Sequence, residues 1–167
     1  MKSVLFVCTG NTCRSPMAAA LLKHYAQEAG IEVRTASAGL GAFTGDSASE
    51  HALKAMSELG LDLSGHRSRK FHTALAEEFD LILVMTEGHK RQLLQAAPEL
   101  AEKVFLVQEY SRAARYREEL QNGKEKVYEI ADPFGQSLDV YRQVRDELAQ
   151  AVQAIIAAWQ REKGDNA

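Results

Sequence analysis

The sequence predicts an α/β fold: one domain over residues 1–167, a three-layer sandwich with a parallel sheet between two layers of helices. Three observations point there. Short apolar, β-branched runs alternate with stretches of helical period, a glycine or proline closes the earlier helical stretches, and 167 residues suit one buried core. The first strand is 4–8, Val-Leu-Phe-Val-Cys. A helix follows over 16–29, where Met17, Leu21, Leu22 and Tyr25 recur and Gly30 ends the run. A weaker, alternating strand at 32–38 stops at Gly39. The helix at 48–59 carries Ala52, Leu53 and Met56 and stops at Gly60. A strand at 80–85 precedes a helix at 88–97, which Pro98 must break, and a strand at 104–107 completes the set. The longest helix, 138–163, has the apolar stripe Val140, Tyr141, Val144, Leu148, Val152, Ile155, Ile156 and Trp159, read as core. In such a sheet, ligands bind beyond the carboxyl ends of the strands.

Composition narrows the function classes. The hydrophobic fraction of 46% and charged fraction of 26% are those of a globular chain. A net charge of −3 argues against a nucleic-acid groove or a polybasic membrane surface. No apolar run approaches the roughly 18–20 residues of a membrane span. The opening Met1 to Val7 is too short for a signal peptide, and two cysteines suggest a reducing cytoplasm over a disulfide scaffold. Metal-ligand spacing is missing, since Cys8 and Cys13 stand five apart and no histidine pair has zinc spacing. His24, His51, His72 and His89 carry no spacing signal and are expected at the surface.

The loop after the first strand carries the chemistry. It reads Cys8-Thr9-Gly10-Asn11-Thr12-Cys13-Arg14-Ser15-Pro16 and feeds an alanine-rich helix. Pro16 suits the first helical position and Ser15 the cap, so a helix N-terminus with unpaired amides is expected there. Gly10 permits the positive φ of a tight turn, and Asn11 tolerates it better than most residues. Successive amides in such a turn form a nest for a tetrahedral anion, and Arg14 can grip two of its oxygens. Cys8 lies at the mouth of that cradle, where a helix N-terminus and a cation favour the attacking thiolate. This suits phosphoryl transfer through a cysteinyl-phosphate, with amides and Arg14 absorbing transition-state charge and no metal needed. A lone cysteine at a strand end is more often an inert small hydrophobe. Here Cys8, Gly10, Asn11, Arg14, Ser15 and Pro16 occur together at one junction, and that combination favours the functional reading.

The loop matches Cys-x-x-x-x-x-Arg-Ser in the form that low-molecular-weight tyrosine phosphatases carry. The resemblance extends to Asp132-Pro133, to His66-Arg67-Ser68 and to the length of the chain. It implies a four-stranded sheet of order 2-1-3-4 and a cofactor-free cytoplasmic protein phosphatase. Substrates would be phosphorylated proteins, with inorganic phosphate and other oxyanions as competitors and neither nucleic acid nor membrane as partner. It implies Cys8 as nucleophile, Arg14 as phosphate clamp, and Thr9, Gly10, Asn11, Thr12, Cys13 and Ser15 as the binding loop. Ser15 would bond the thiolate, which competes with its capping role. Asn11 would hold the strained backbone with help from His66 and Ser37. Asp132 would be general acid to the leaving group and then base for water. On residues alone, Ile130-Ala131-Asp132-Pro133-Phe134-Gly135 is only a turn-forming stretch.

Two places depart from the tyrosine-directed pattern. Position 12 is Thr where a larger apolar residue is usual, and the acid loop reads Asp132-Pro133-Phe134-Gly135 in place of aromatic pairs. Together they resemble the protein-arginine phosphatase branch. A threonine hydroxyl can bond a phosphoguanidine and orient water where isoleucine could only pack. Phe134 would form one flat wall for a planar guanidinium, and phosphotyrosine stands as the alternative substrate. Other classes fit less well. Thr9-Gly10-Asn11-Thr12 also resembles the phosphate loop of flavodoxins, which would make the chain an FMN-binding electron carrier with no use for Cys8 or Arg14. Arsenate reductases share the loop but need cysteines downstream, and none follows Cys13. A phospho-binding module without activity would be expected to lack Cys8, Arg14 or Asp132. Cys13 is either a resolving thiol that traps oxidised Cys8 as a disulfide or a buried loop cysteine. The charged segment 108–130, with a short helix at 113–121, reads as an insertion before the acid loop, solvated or bordering the site.

Overall fold

Side-chain alternation along the first strand sets up two cores. In β1 (Lys2–Cys8), Val4, Phe6 and Cys8 enter one buried cluster while Leu5 and Val7 enter another. The computed structural model describes residues 1–115 and 129–167. In it β1 pairs in parallel with β2 (Val33–Gly39) and with β3 (Leu81–Val84), and β3 with β4 (Val104–Leu106). The sheet order is β2-β1-β3-β4, as the resemblance implied. The register sets Cys8 beside Gly39 and Val7 beside Val84, so the ends of three strands form one edge.

Helices cover both faces. On the first core lie α1 (Arg14–Glu28), α2 (Glu50–Ser57), α5 (Val107–Arg115) and α6 (Leu138–Asp165), contributing Met17, Met56, Val107 and Trp159 among others. On the second lie α3 (Thr73–Glu77), α4 (Glu87–Ala96) and a 3₁₀ turn at Pro98–Lys103, through Leu75, Leu93 and Leu100. Among the described residues no helix is long and apolar enough to cross a membrane.

Three features differ from the sequence reading. The last strand ends at Leu106, and Val107, fully buried, opens α5. The charged segment therefore begins as a helix packed on the core, with Ser111 buried. The remainder, 116–128, with most of the expected helix at 113–121, lies outside the described residues. Finally, α3 and the 3₁₀ turn were not expected, because one or two turns show no readable period.

A buried arginine ties α6 to α2. Arg145 Nη1 donates to the Ala55 carbonyl and to Glu58 Oε1, both at 2.8 Å. Arg142 forks the same Glu58 carboxylate, and hydrogen bonding to Arg142 first, opposed by desolvation, draws its pKa down to about 2. Replacing Arg145 by Ala leaves a buried carbonyl unpaired, a loss of about 1–3 kcal/mol. A lower urea midpoint of Arg145→Ala, followed by circular dichroism, is the expected result.

Candidate active site

Residues 9–13 turn back over the sheet edge between β1 and α1. The turn is made at Asn11, whose φ of 55 is the only positive value at a non-glycine among the described residues. Gly10, expected to supply it, does not; a Cβ there would stand 3.6 Å from Thr12 Oγ1, so this glycine leaves space beside that hydroxyl. Asn11 takes the left-handed conformation because its polar groups are held. Its Nδ2 donates to Ser15 Oγ (2.9 Å), Oδ1 accepts from Arg69 N (3.0 Å), and its carbonyl accepts from His66 Nε2 (2.7 Å). Those bonds offset the roughly 1–2 kcal/mol that such a conformation costs an L-residue. Ser37 supports the loop indirectly, its carbonyl accepting from Arg69 Nε at 3.0 Å.

The start of α1 is open. Ser49, His72, Thr86 and Ser137 cap α2, α3, α4 and α6 with their side chains, whereas Cys13 at the head of α1 makes no side-chain cap. The expected cap, Ser15, is instead the second helical residue, its hydroxyl 2.9 Å from Cys8 Sγ. With Asn11 donating to that oxygen, the serine proton is free to point at sulfur. Pro16 sits inside the first turn, where its missing N–H removes no helical bond. The leading amides of α1 and the positive end of its dipole thus remain available to an anion.

Arg14 joins this loop to the segment after residue 129. It is 4% exposed; Nη1 donates to the Ile130 carbonyl at 3.0 Å, and Nη2 lies 3.7 Å from Asp132 Oδ2. Asp132 is exposed, and its Oδ1 accepts from Phe134 N at 3.1 Å, an Asx turn that aims the carboxyl back toward the loop. Phe134 stands 73% exposed beside it. Thr12 is half-buried, its carbonyl accepting from Ser49 N. Cys13 is buried, its sulfur 3.2 Å from Tyr141 Oη and 3.5 Å from Ser49 Oγ. Burial first, then the bond with Cys13, pushes the Tyr141 phenol up to about 12.

Besides Arg69 and Ser49, two residues that meet the loop were not singled out in the sequence. His89, expected at the surface, is 7% exposed in the first turn of α4, with Nε2 2.8 Å from Thr9 Oγ1. Burial, then the neighbouring Arg14 charge, drives its pKa down to about 4. The available signal was positional: a histidine three residues after the cap Thr86, just beyond β3, belongs at the ligand-binding edge. The other is Gly39. A Cβ there would lie 2.5 Å from the Thr9 carbonyl oxygen and 2.9 Å from Asn11 N, so only glycine lets β2 approach the loop.

The sequence pattern of the family described as low molecular weight phosphotyrosine protein phosphatase matches residues 3–165. The chain belongs to that family. It is a phosphatase of the cysteine-dependent kind, which displaces the flavin-carrier reading of Thr9 to Thr12. It is 36% identical over 160 residues to the protein-arginine-phosphatase of Bacillus subtilis (strain 168), covering 96% of this chain and 98% of the relative. The structure superposes on the YwlE arginine phosphatase from Geobacillus stearothermophilus with a TM-score of 0.84 at 36% identity, over 100% of this chain and 98% of that one. It also superposes on the tyrosine phosphatase Wzb from Escherichia coli K30 in complex with sulphate, with a TM-score of 0.76 at 34% identity, over 93% and 96%.

Two outcomes follow for these residues. Gly39→Ala should fold yet lose about 100-fold in kcat/KM on an aryl phosphate, because the loop must move from its backbone contact. Stability should fall as the pH drops from 6.5 to about 4, since the unfolded chain takes up a proton that folded His89 refuses. Burial lowers His66 as well, so its slope has the same sign. Urea unfolding at pH 5 and pH 7 should show a smaller difference in His89→Gln than in the wild type.

Proposed function

We propose that the protein is a cytoplasmic protein-arginine phosphatase acting through a cysteinyl-phosphate. The Cys8 thiolate attacks phosphorus as the P–N bond breaks, and Asp132 gives its proton to the departing guanidine nitrogen. Loop amides from Thr9 to Ser15 and the Arg14 guanidinium hold the phosphoryl oxygens as charge develops. Asp132 then takes a proton from the water that attacks phosphorus, the S–P bond breaks, and thiolate and inorganic phosphate are released. The Ser15 hydroxyl favours that departing thiolate. Inorganic phosphate and related oxyanions compete for the same amides, a reading supported by the sulphate in the Wzb relative.

The observation that carries the substrate assignment is Thr12, a half-buried threonine in the loop whose hydroxyl lies beside Gly10, where no side chain stands against it. The likeness to relatives that are named arginine phosphatases supports it. Exposed Phe134 favours any flat group, which keeps phosphotyrosine as the second reading. A further element is redox: peroxide converts the Cys8 thiolate to a sulfenic acid, and the Cys13 thiol displaces water from it to form a disulfide. Both cysteines are free, and Cys13 must first leave Tyr141 and Ser49.

The test is kcat/KM on one peptide carrying either phosphoarginine or phosphotyrosine. The wild type should prefer phosphoarginine, Thr12→Ile should lose or reverse that preference, and Cys8→Ser should turn over neither. A wild-type preference for phosphotyrosine would return the chain to the tyrosine-directed branch.

A further inference from the structure

The first turn of α4 touches both halves of the site. Toward the acid loop, Glu87 N donates to Glu129 Oε1 at 3.0 Å, and just ahead of the turn the Met85 carbonyl accepts from Ile130 N at 2.9 Å. Toward the nucleophile loop, His89 Nε2 is 2.8 Å from Thr9 Oγ1, on the residue after Cys8. Thr86 Oγ1 accepts from His89 N at 3.1 Å and fixes the turn itself. A continuous run of bonds therefore leads from Glu129 through Glu87 and His89 to Thr9. Arg14 also links the loops, but its guanidinium must serve the phosphoryl oxygens as well. The hydrogen bonds of His89 go to Thr9 and Thr86.

The direction of the bond follows from burial. His89 Nδ1 is buried with no hydrogen-bond partner among the described residues. An orphaned N–H there costs more than an orphaned lone pair, so the ring proton belongs on Nε2 and is donated to Thr9 Oγ1. A glutamine amide can make the same donation, whereas leucine cannot.

We propose that His89 is a positioning residue that holds Cys8 within reach of Asp132 by clamping Thr9 to the first turn of α4. The inference rests on Cys8 as nucleophile and Asp132 as general acid. Proton donation matters most for a poor leaving group, so a nucleophile displaced from its acid loses rate unevenly across leaving groups. A residue that only supports the fold loses rate evenly.

The experiment measures kcat/KM, which reports steps through cysteinyl-phosphate formation, on p-nitrophenyl phosphate and on phenyl phosphate. His89→Leu and Thr9→Val should each lose about threefold on the activated ester and about 30-fold or more on phenyl phosphate, within the range of general-acid effects. The double variant should lose no more than either alone, since both remove one bond. His89→Gln should recover most of both rates. Equal losses on the two esters, additive losses in the double variant, or no loss would overturn the inference. Should His89→Leu not fold, Thr9→Val breaks the same bond from the exposed side, and an even loss there is equally decisive. If the wild type shows no Cys8-dependent turnover of either ester, the phosphatase mechanism itself falls, and the clamp with it.

Discussion

Backbone amides can surround an anion only where successive N–H groups converge, and a chain of L-residues achieves that through a left-handed residue. In this protein that residue is Asn11, and much of the surrounding structure exists to keep it there. Its carbonyl, amide oxygen and amide nitrogen are bonded by His66, Arg69 and Ser15, the first two from the connection between α2 and α3 and the third from the start of α1. The same constraint explains Gly39, because the folded-back loop presses its carbonyl and amide against the end of β2. It also explains the absence of a side-chain cap on α1: a cap would occupy the amides that the turn has gathered.

Arg14 imposes the second requirement. A guanidinium this deeply buried is costly unless bonded, and the Ile130 carbonyl supplies the bond. Satisfying that cation draws a segment more than a hundred residues away onto the loop, and Asp132 follows two residues later. The acid loop is thus placed partly by the energetics of a buried charge. Arg14 therefore joins the loop after β1 and the segment around Asp132 into one structural unit.

What was legible in the sequence followed from how residues act locally. Val4 to Cys8 showed its strand because both faces are buried, and the stripe from Val140 to Trp159 showed its helix because only one face is. The cluster from Cys8 to Pro16 was legible because its residue types are improbable together without an anion to bind. What stayed hidden depended on partners distant in the chain. Ser15 looked like a cap because a serine before a proline usually is one, and only the approach of Cys8 and Asn11 gave its hydroxyl other work. Gly10 looked like the left-handed residue because glycine pays least for it, but side-chain bonds made Asn11 the better choice. Gly39 carries no local pattern and His89 only its place after Thr86, and the significance of both is a distance to Thr9 that folding creates. Val107 belonged to a β-branched run that serves equally well to begin a buried helix.

The loop is held from two sides by histidines, His66 on Asn11 and His89 on Thr9, and the chemistry gives a reason for that residue type. Burial lowers both, and His89 at about 4 is neutral wherever the enzyme works near pH 7. A lysine or arginine at either place would make comparable hydrogen bonds while adding a fixed cation close to the anion. Such a charge would attract substrate, transition state and phosphate product alike, and binding that is uniform along the reaction does not raise kcat. On the proposed mechanism, neutral anchors leave the attraction to Arg14 and the loop amides, which can favour the charge arrangement of the transition state. The two histidines therefore add hold on the loop without adding charge to it, and they can be strong anchors without slowing release of phosphate.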